Sequence, residues 1–182
     1  MTIPLAEKDE KARHAEYCSL KDQICFYHLR MPPLSDPCGL RPSESVSTLN
    51  PHLLVAHTTL YGSGMILHSL RSDTNSEARG HMLACARRLL EICEKIRGHA
   101  RLFKVQTALM PMLHMMNAIR VVARELRASV VRGDATQCAD YCLAIESALD
   151  FLDDVTTSYP AWVDVPIALK DTLLSAARTL PH

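Results

Sequence analysis

The side chains best suited to chemistry in this chain are nine histidines and seven cysteines among 182 residues. Three pairs are spaced to share a helix face: Cys25 with His28, His81 with Cys85, and Cys138 with Cys142. A structural zinc needs four ligands converging tetrahedrally. These pairs are scattered and no Cys-x-x-Cys occurs, so no metal site is predicted. A Cys nucleophile beside a His base is the other chemistry such pairs offer, but so many Cys and His produce chance pairings. Gly-x-Ser-x-Gly, His-Glu-x-x-His and a phosphate-cradling glycine loop are all missing. Tyr61-Gly62-Ser63-Gly64 lies inside a continuous apolar helical pattern, where the glycines suit a close approach by another helix or by a ligand. The reading is therefore non-enzymatic: no catalytic residue, no metal and no cofactor. Cys138 and Cys142 read as packed thiols or, in a second reading, as a redox pair.

The run Met110-Pro111-Met112-Leu113-His114-Met115-Met116 is less ordinary. As core it is a seam, because methionine fills irregular gaps. As a site it is an adaptable apolar pocket for a small effector or a partner helix, with His114 or Arg120 as its polar handle. The candidate pocket residues are Met110, Met112, His114, Met115, Met116 and Arg120.

The elements that must position these groups read as helices. Only six glycines and 5% aromatic residues disfavour a sandwich or barrel, while good helix formers are plentiful. Residues 5–30 carry Ala12, Ala15, Leu20, Ile24 and Tyr27 at helical spacing, and Met31-Pro32-Pro33 stops them. Residues 32–49 form a Pro/Ser-rich linker between an N-terminal helix (1–31) and a helical domain (50–182). Asn50-Pro51 opens a helix to about residue 70. Residues 50–70 hold no Asp, Glu, Lys or Arg, yet His52, His57, His68 and several hydroxyls make them a buried helix rather than a membrane span. Thr74 to Glu77 fits a capping box with Thr74 as cap. It starts a helix to about residue 97, striped by Met82, Cys85, Ala86, Leu89, Ile92, Cys93 and Ile96, with Gly98 placed to end it. A long pattern over 100–132 should be kinked or split at Pro111. Asp134 caps a helix to about residue 153, with Cys138, Tyr141, Cys142, Ile145, Ala148, Leu149 and Leu152 inward. Its acidic end, Asp150-Phe151-Leu152-Asp153-Asp154, reads as the end of an amphipathic helix rather than an activation segment. A turn with the one Trp and a last helix over 167–179 follow. The predicted fold is all-α, an antiparallel bundle or array of six or seven helices with one long helix kinked at Pro111.

Twenty basic against twenty acidic residues exclude a uniformly basic nucleic-acid binder. The neutrality is a cancellation. Residues 71–132 carry 12 Lys/Arg against 5 Asp/Glu, and residues 133–182 carry 2 against 8. Segment 134–171 is thus expected to fold against the basic helices, or to pair with them across a homodimer, with stability falling as salt rises. Met1 to Arg13 is charged rather than a signal sequence, and seven is an odd number of cysteines, so a reducing interior is expected.

The segment Asn50-Pro51-His52-Leu53-Leu54-Val55-Ala56-His57-Thr58-Thr59-Leu60-Tyr61, continuing to Ile66-Leu67-His68, resembles the fungal-specific transcription factor domain. That domain is the regulatory middle-homology region of binuclear zinc cluster regulators. The family's second helix carries a small-residue stripe, matched here by Ala84-Cys85-Ala86 with Leu89, Leu90 and Ile92. The resemblance covers about residues 50–130. The family's basic six-cysteine DNA-reading cluster has no counterpart in the spacing of these cysteines, and its regulatory domain is usually longer. The chain therefore resembles the carboxy-terminal part of such a domain, as a fragment or a stand-alone relative. The resemblance implies a nuclear regulatory module that senses an effector or supports dimerisation. Its implied partners are a second copy, a transcription-machinery protein or a small-molecule effector, with no direct nucleic-acid contact and no membrane. The alternative is a stand-alone helical binding protein for an apolar small molecule or a partner helix.

Overall fold

The computed structural model describes residues 5–32, 34, 51–96 and 105–158. They form five helices, α1 (Leu5–Arg30), α2 (Pro51–Ser69), α3 (Ser76–Ile96), α4 (Val105–Arg132) and α5 (Ala135–Ser158), and no strand among the described residues. Six or seven helices are expected from the sequence and five are described, with α4 running through Pro111 as the one long helix of the two alternatives rather than dividing there. A proline inside a helix costs about 3 kcal/mol. Pro111, Met112, His114, Met115, Met116, Ala118 and Ile119 are all buried, and each large side chain among them contributes roughly 1.5–3 kcal/mol, so tertiary burial outweighs the break. The expected helix over 167–179, the Trp162 turn, Gly98 and most of the 32–49 linker lie outside the described residues.

α3 and α4 form the centre. Each packs against the other and against both α2 and α5, while α1 lies on α2. The buried stripe of α3 is Met82, Ala86, Leu89, Ile92, Cys93 and Ile96 as expected, with Ala78 and Leu90 added and the expected Cys85 only half-buried. On α5 the inward residues are Tyr141, Ile145, Ala148, Phe151, Leu152 and Val155. Cys142, expected inward, is exposed, because the stripe drifts toward Phe151 and Val155 as the helix continues to Ser158. The expected stripe of α1 is also corrected. Leu20 and Tyr27 face solvent, and the less exposed positions are Tyr17, Cys18, Lys21, Ile24 and His28, a mostly polar row at helical spacing.

Local chemistry explains where the helices begin and end. α1 stops at Arg30, and the carbonyl of Pro32 then accepts a hydrogen bond from His57 Nε2 at 2.8 Å, tying the chain exit to α2. The cap of α3 is Asn75, one residue beyond the expected Thr74. Its Oδ1 accepts from the backbone N–H groups of Glu77 (2.9 Å) and Ala78 (3.1 Å). Thr74 belongs instead to the preceding turn, its N–H donating to the Arg71 carbonyl at 3.2 Å. Between α4 and α5 only Gly133 and Asp134 intervene. Gly133 takes φ 72°, its N–H donates to Val130, and the N–H of Asp134 donates to Ser129, both at 3.0 Å. This is a Schellman turn, and the left-handed position is why glycine stands there. Asp134 then caps α5 by accepting from Gln137 N–H at 3.0 Å. One aspartate closes one helix and opens the next.

The described part of the acidic segment, residues 134–158, does fold against the basic helices, with the apolar face of α5 in the shared core. Arg87 reaches Asp140 only at 4.0 Å, both half-exposed, a pair of little worth. The strong pair lies between α3 and α4. Arg79 Nε and Nη2 donate to Glu125 Oε1 and Oε2 at 2.8 and 3.0 Å, a two-pronged clamp. The Glu125 side chain is 6% exposed and that of Arg79 42%. The clamp joins the first turns of α3 to the later part of α4, and Arg124 bonds Asp73 just ahead of α3 at 2.7 Å, so α3 and α4 run antiparallel.

The unequal burial sets an unequal cost. Arg79→Met leaves a buried carboxylate unpaired and is expected to destabilise by about 2–4 kcal/mol, whereas Arg79→Met with Glu125→Leu recovers most of it. Chemical denaturation of the two variants checks this. Equal losses in the single and the double variant would contradict it.

Candidate functional site

The methionine seam is part of the main core. Met112, Met115 and Met116 are buried on α4 together with Ile119 and Val122, against residues of α2, α3 and α5. Met110 lies on α4, but its side chain is outside the described residues. Arg120 is exposed and donates to Asn117 Oδ1 at 3.3 Å, so it stands on the outer face of the helix and away from the buried methionines. The structure therefore brings Met112, Met115, Met116 and His114 into the interior and leaves Arg120 outside.

His114 is the unusual member. It is 7% exposed, and neither ring nitrogen meets a hydrogen-bond partner among the described residues. Its ring lies on Gly62 of α2. A Cβ there would collide with Nδ1 and Cγ, and would stand 2.6 Å from Cε1. A Cβ on Gly64 would touch Cys85 Sγ of α3 at 3.0 Å. The glycines in α2 thus serve helix crossing, and the close neighbours are side chains of α4 and α3. Burial lowers the pKa of His114, so the imidazole is held neutral.

Cys18 Sγ lies 3.7 Å from His14 Nε2 on the exposed face of α1, and three other thiols are shifted by burial. Burial pushes the Cys85 thiol up to about 11, with Cys25 adding to the shift. It pushes Cys93 up still further, and Cys142 also upward. Such thiols are inert beside those that attack carbonyls or disulfides. Groups of three or more His, Cys, Asp or Glu able to hold a metal are absent among the described residues. No helix among them is long and apolar enough to cross a membrane.

A second cluster was not singled out from the sequence. At the junction of α1, the end of α2 and the start of α3, His14, Tyr17, Lys21, His68, Arg71, Glu77 and His81 form a connected polar network. The Tyr17 hydroxyl lies 2.7 Å from Nδ1 of buried His68. The His68 ring stacks on His81 at 5.0 Å, and His81 Nε2 lies 3.3 Å from Glu77 Oε1. Lys21 donates to the same oxygen at 3.2 Å. Arg71 lies over the Tyr17 ring at 4.6 Å and donates to His14 Nδ1 at 2.6 Å. Burial lowers the pKa of His68, with His81 and Lys21 adding to the shift and Glu77 opposing it. Lys21 and His81 in turn hold the Glu77 carboxyl below its ordinary range. A faint signal lay in the sequence: His14, Tyr17 and Lys21 share one face of α1, as Glu77 and His81 share one face of α3. Nothing in the spacing said that the two faces meet. Higher on α1, His28 packs on Tyr61 at 4.5 Å, and burial followed by His57 lowers its pKa.

Two outcomes follow from these contacts. Gly80 has open space around it and Gly62 has none. Gly80→Ala should stabilise by up to about 1 kcal/mol through helix propensity. Gly62→Ala should destabilise by about 1–3 kcal/mol through overpacking, and much less when combined with His114→Ala. Denaturant midpoints of the parent, the three single variants and the double variant check the pattern, and a Gly62→Ala chain as stable as Gly80→Ala would contradict it. The second outcome concerns pH. His28, His68 and His114 all titrate below the ordinary 6.5 in the folded chain. Below pH 6.5 the unfolded chain binds more protons than the folded one, so stability is full above 6.5 and falls as pH drops. Melting temperature should decrease from pH 7 to pH 5, a range above the carboxylate transitions. A melting temperature that is flat or rises over that range would refute it.

Comparison with protein-family models, with curated proteins and with solved structures finds no match to this chain.

Proposed function

We propose that the chain is a non-enzymatic, effector-sensing helical domain of a fungal transcription factor, acting in the nucleus without the DNA-reading zinc cluster. One observation carries the sensing part. The core is shared by α2 to α5, whereas α1 rests on α2 largely through polar side chains. A helix mounted in this way is released at lower cost than one buried in the core, and regulatory elements are drawn from the less stable parts of a fold. The raised thiols of Cys85, Cys93 and Cys142 agree with a module that binds rather than one that turns over a substrate. The resemblance of residues 50–130 supplies the transcriptional context.

A second reading is favoured by His114 alone. A buried imidazole with two unpartnered nitrogens, amid Met112, Met115 and Met116, suits a stand-alone protein that admits an apolar molecule carrying one hydrogen-bonding group. Thermal-shift hits that vanish in His114→Phe would favour it over the regulatory reading.

The regulatory reading is tested by fusing the full chain to an unrelated DNA-binding domain upstream of a reporter gene. The fusion should change reporter output relative to the DNA-binding domain alone, and Tyr17→Ala with Lys21→Ala, which loosen α1, should alter that change. A reporter indifferent to the fusion would overturn the proposal.

A further inference from the structure

The packing that buries α4 and α5 leaves one outward row of side chains on each. On α4 the row is Leu113, Asn117, Arg120, Arg124, Arg127 and Val131, spaced alternately four and three residues apart, which is a single stripe of a helix. Asn117 is partly covered and the other five are exposed, Val131 at 83%. On α5 the row is Ala139, Leu143, Glu146, Asp150, Asp153 and Thr157, all exposed, Leu143 at 69%. The first row holds three arginines and no acid, the second three acids and no base. Within one chain the rows cannot meet, because each faces away from the core that the two helices share. Arg120 bonds only its neighbour Asn117, and Arg127 and Glu146 make no ion pair among the described residues. Arg124 does bond Asp73, but those side chains are 64% and 74% exposed, so the pair is of little worth and readily exchanged. Asp150 and Asp153 have other contacts in the chain and remain exposed.

The two rows are complementary when one is read backwards. Laid antiparallel, Arg120 meets Asp150, Arg124 meets Glu146, Arg127 meets Leu143 and Val131 meets Ala139, with the intervals matching along the whole length. Opposite charges then pair at the centre, and the stem of Arg127 covers the exposed Leu143. Symmetry allows this arrangement. Only Gly133 and Asp134 join α4 to α5, so Arg124 stands nine residues before the turn and Glu146 twelve after it. That difference is about 4.5 Å along the helices. A two-fold axis running along the helices preserves height, and so lays α4 of one copy on α5 of the other, twice per dimer. We propose that the chain self-associates as a two-fold dimer through these rows. A second copy supplies the charge, spacing and direction that each row needs. Each row is about 27 Å long and 10–12 Å wide, or roughly 300 Å². Two rows on each of two copies bury roughly 1,200 Å², the lower limit of specific interfaces, so the dimer is reversible. It does not rest on the regulatory reading, since association is measured on purified protein without a reporter.

The test is sedimentation velocity of the full chain over a range of concentration and salt. A monomer–dimer equilibrium with a midpoint in the micromolar range is expected. It should weaken at least about tenfold as salt rises from about 0.05 to 0.5 M. Two charge-reversed chains sharpen the test: Arg120→Glu with Arg124→Glu, and Glu146→Arg with Asp150→Arg. Each alone should stay monomeric, because like charges then face one another in both contacts. An equal mixture should recover the dimer, with one chain of each kind, because both contacts again join opposite rows. Should either fail to fold, Leu143→Lys decides: it sets a cation against Arg127 and should weaken the dimer at least about tenfold. A parent that is monomeric at about 100 μM would give the rows to some other occupant and overturn the dimer. So would association indifferent to salt, reversed chains that dimerise alone as the parent does, a mixture that stays monomeric, or a Leu143→Lys dimer as tight as the parent's.

Discussion

The structure depends on burying the Pro111–Ile119 stretch of α4 on all but one face. Over Pro111 to Ile119 only Leu113 is well exposed, while Asn117 is partly covered, so three other helices must reach this stretch at once. α3 and α5 do so with large apolar side chains. α2 approaches where it has none: Gly62 lets the His114 ring lie on its backbone, and Gly64 makes room for Cys85. Each helical glycine costs about 1 kcal/mol relative to alanine. Truncating a buried methionine or leucine in such a seam costs about 2–5 kcal/mol, so the glycines are worth keeping if they let the seam close. The continuity of α4 through Pro111 has the same cause.

Around that centre the interactions change character with distance. The clamp from Arg79 to Glu125 fixes α3 against α4 with one carboxylate buried and its partner half in water. Its burial makes it costly to break and of small net worth when whole. Further out, α1 meets the bundle through Tyr17, Lys21, Ile24 and His28, and leaves Leu29 89% exposed. Hydroxyl, imidazole and guanidinium contacts replace methyl contacts here. Net hydrogen bonds contribute about 1 kcal/mol each where buried apolar side chains contribute two or three. α1 therefore forms the least tightly held edge of the described fold.

Much of this was legible in the sequence because period and breakers speak directly. The stripe of α3, the stop before Pro32, Pro51 at the head of α2 and the Gly133-Asp134 turn all follow from local rules. The misreadings have physical causes. Thr74 and Asn75 are both good caps, and only the turn closed on the Arg71 carbonyl decides for Asn75. Pro111 reads as a kink or a split, and only the burial around it decides against the split. The apolar residues of α1 are a weak guide to its buried face, since its contacts are made by polar side chains. The candidate seam was visible as a run of methionines, but whether His114 faces a neighbour or solvent depends on a helix fifty residues away. The cluster around Arg71 draws on α1, α2 and α3 together, and no local spacing encodes that meeting.

The central claim is a division of stability: an α4-centred apolar core, and an α1 held on it by polar contacts. Native-state hydrogen exchange resolved by residue measures that division directly. Amides of α4 from Met112 to Val122 should exchange only through global unfolding. Amides of α1 from Tyr17 to His28 should exchange through a separate opening of lower free energy. Equal protection of α1 and α4, with one shared dependence on denaturant, would contradict it.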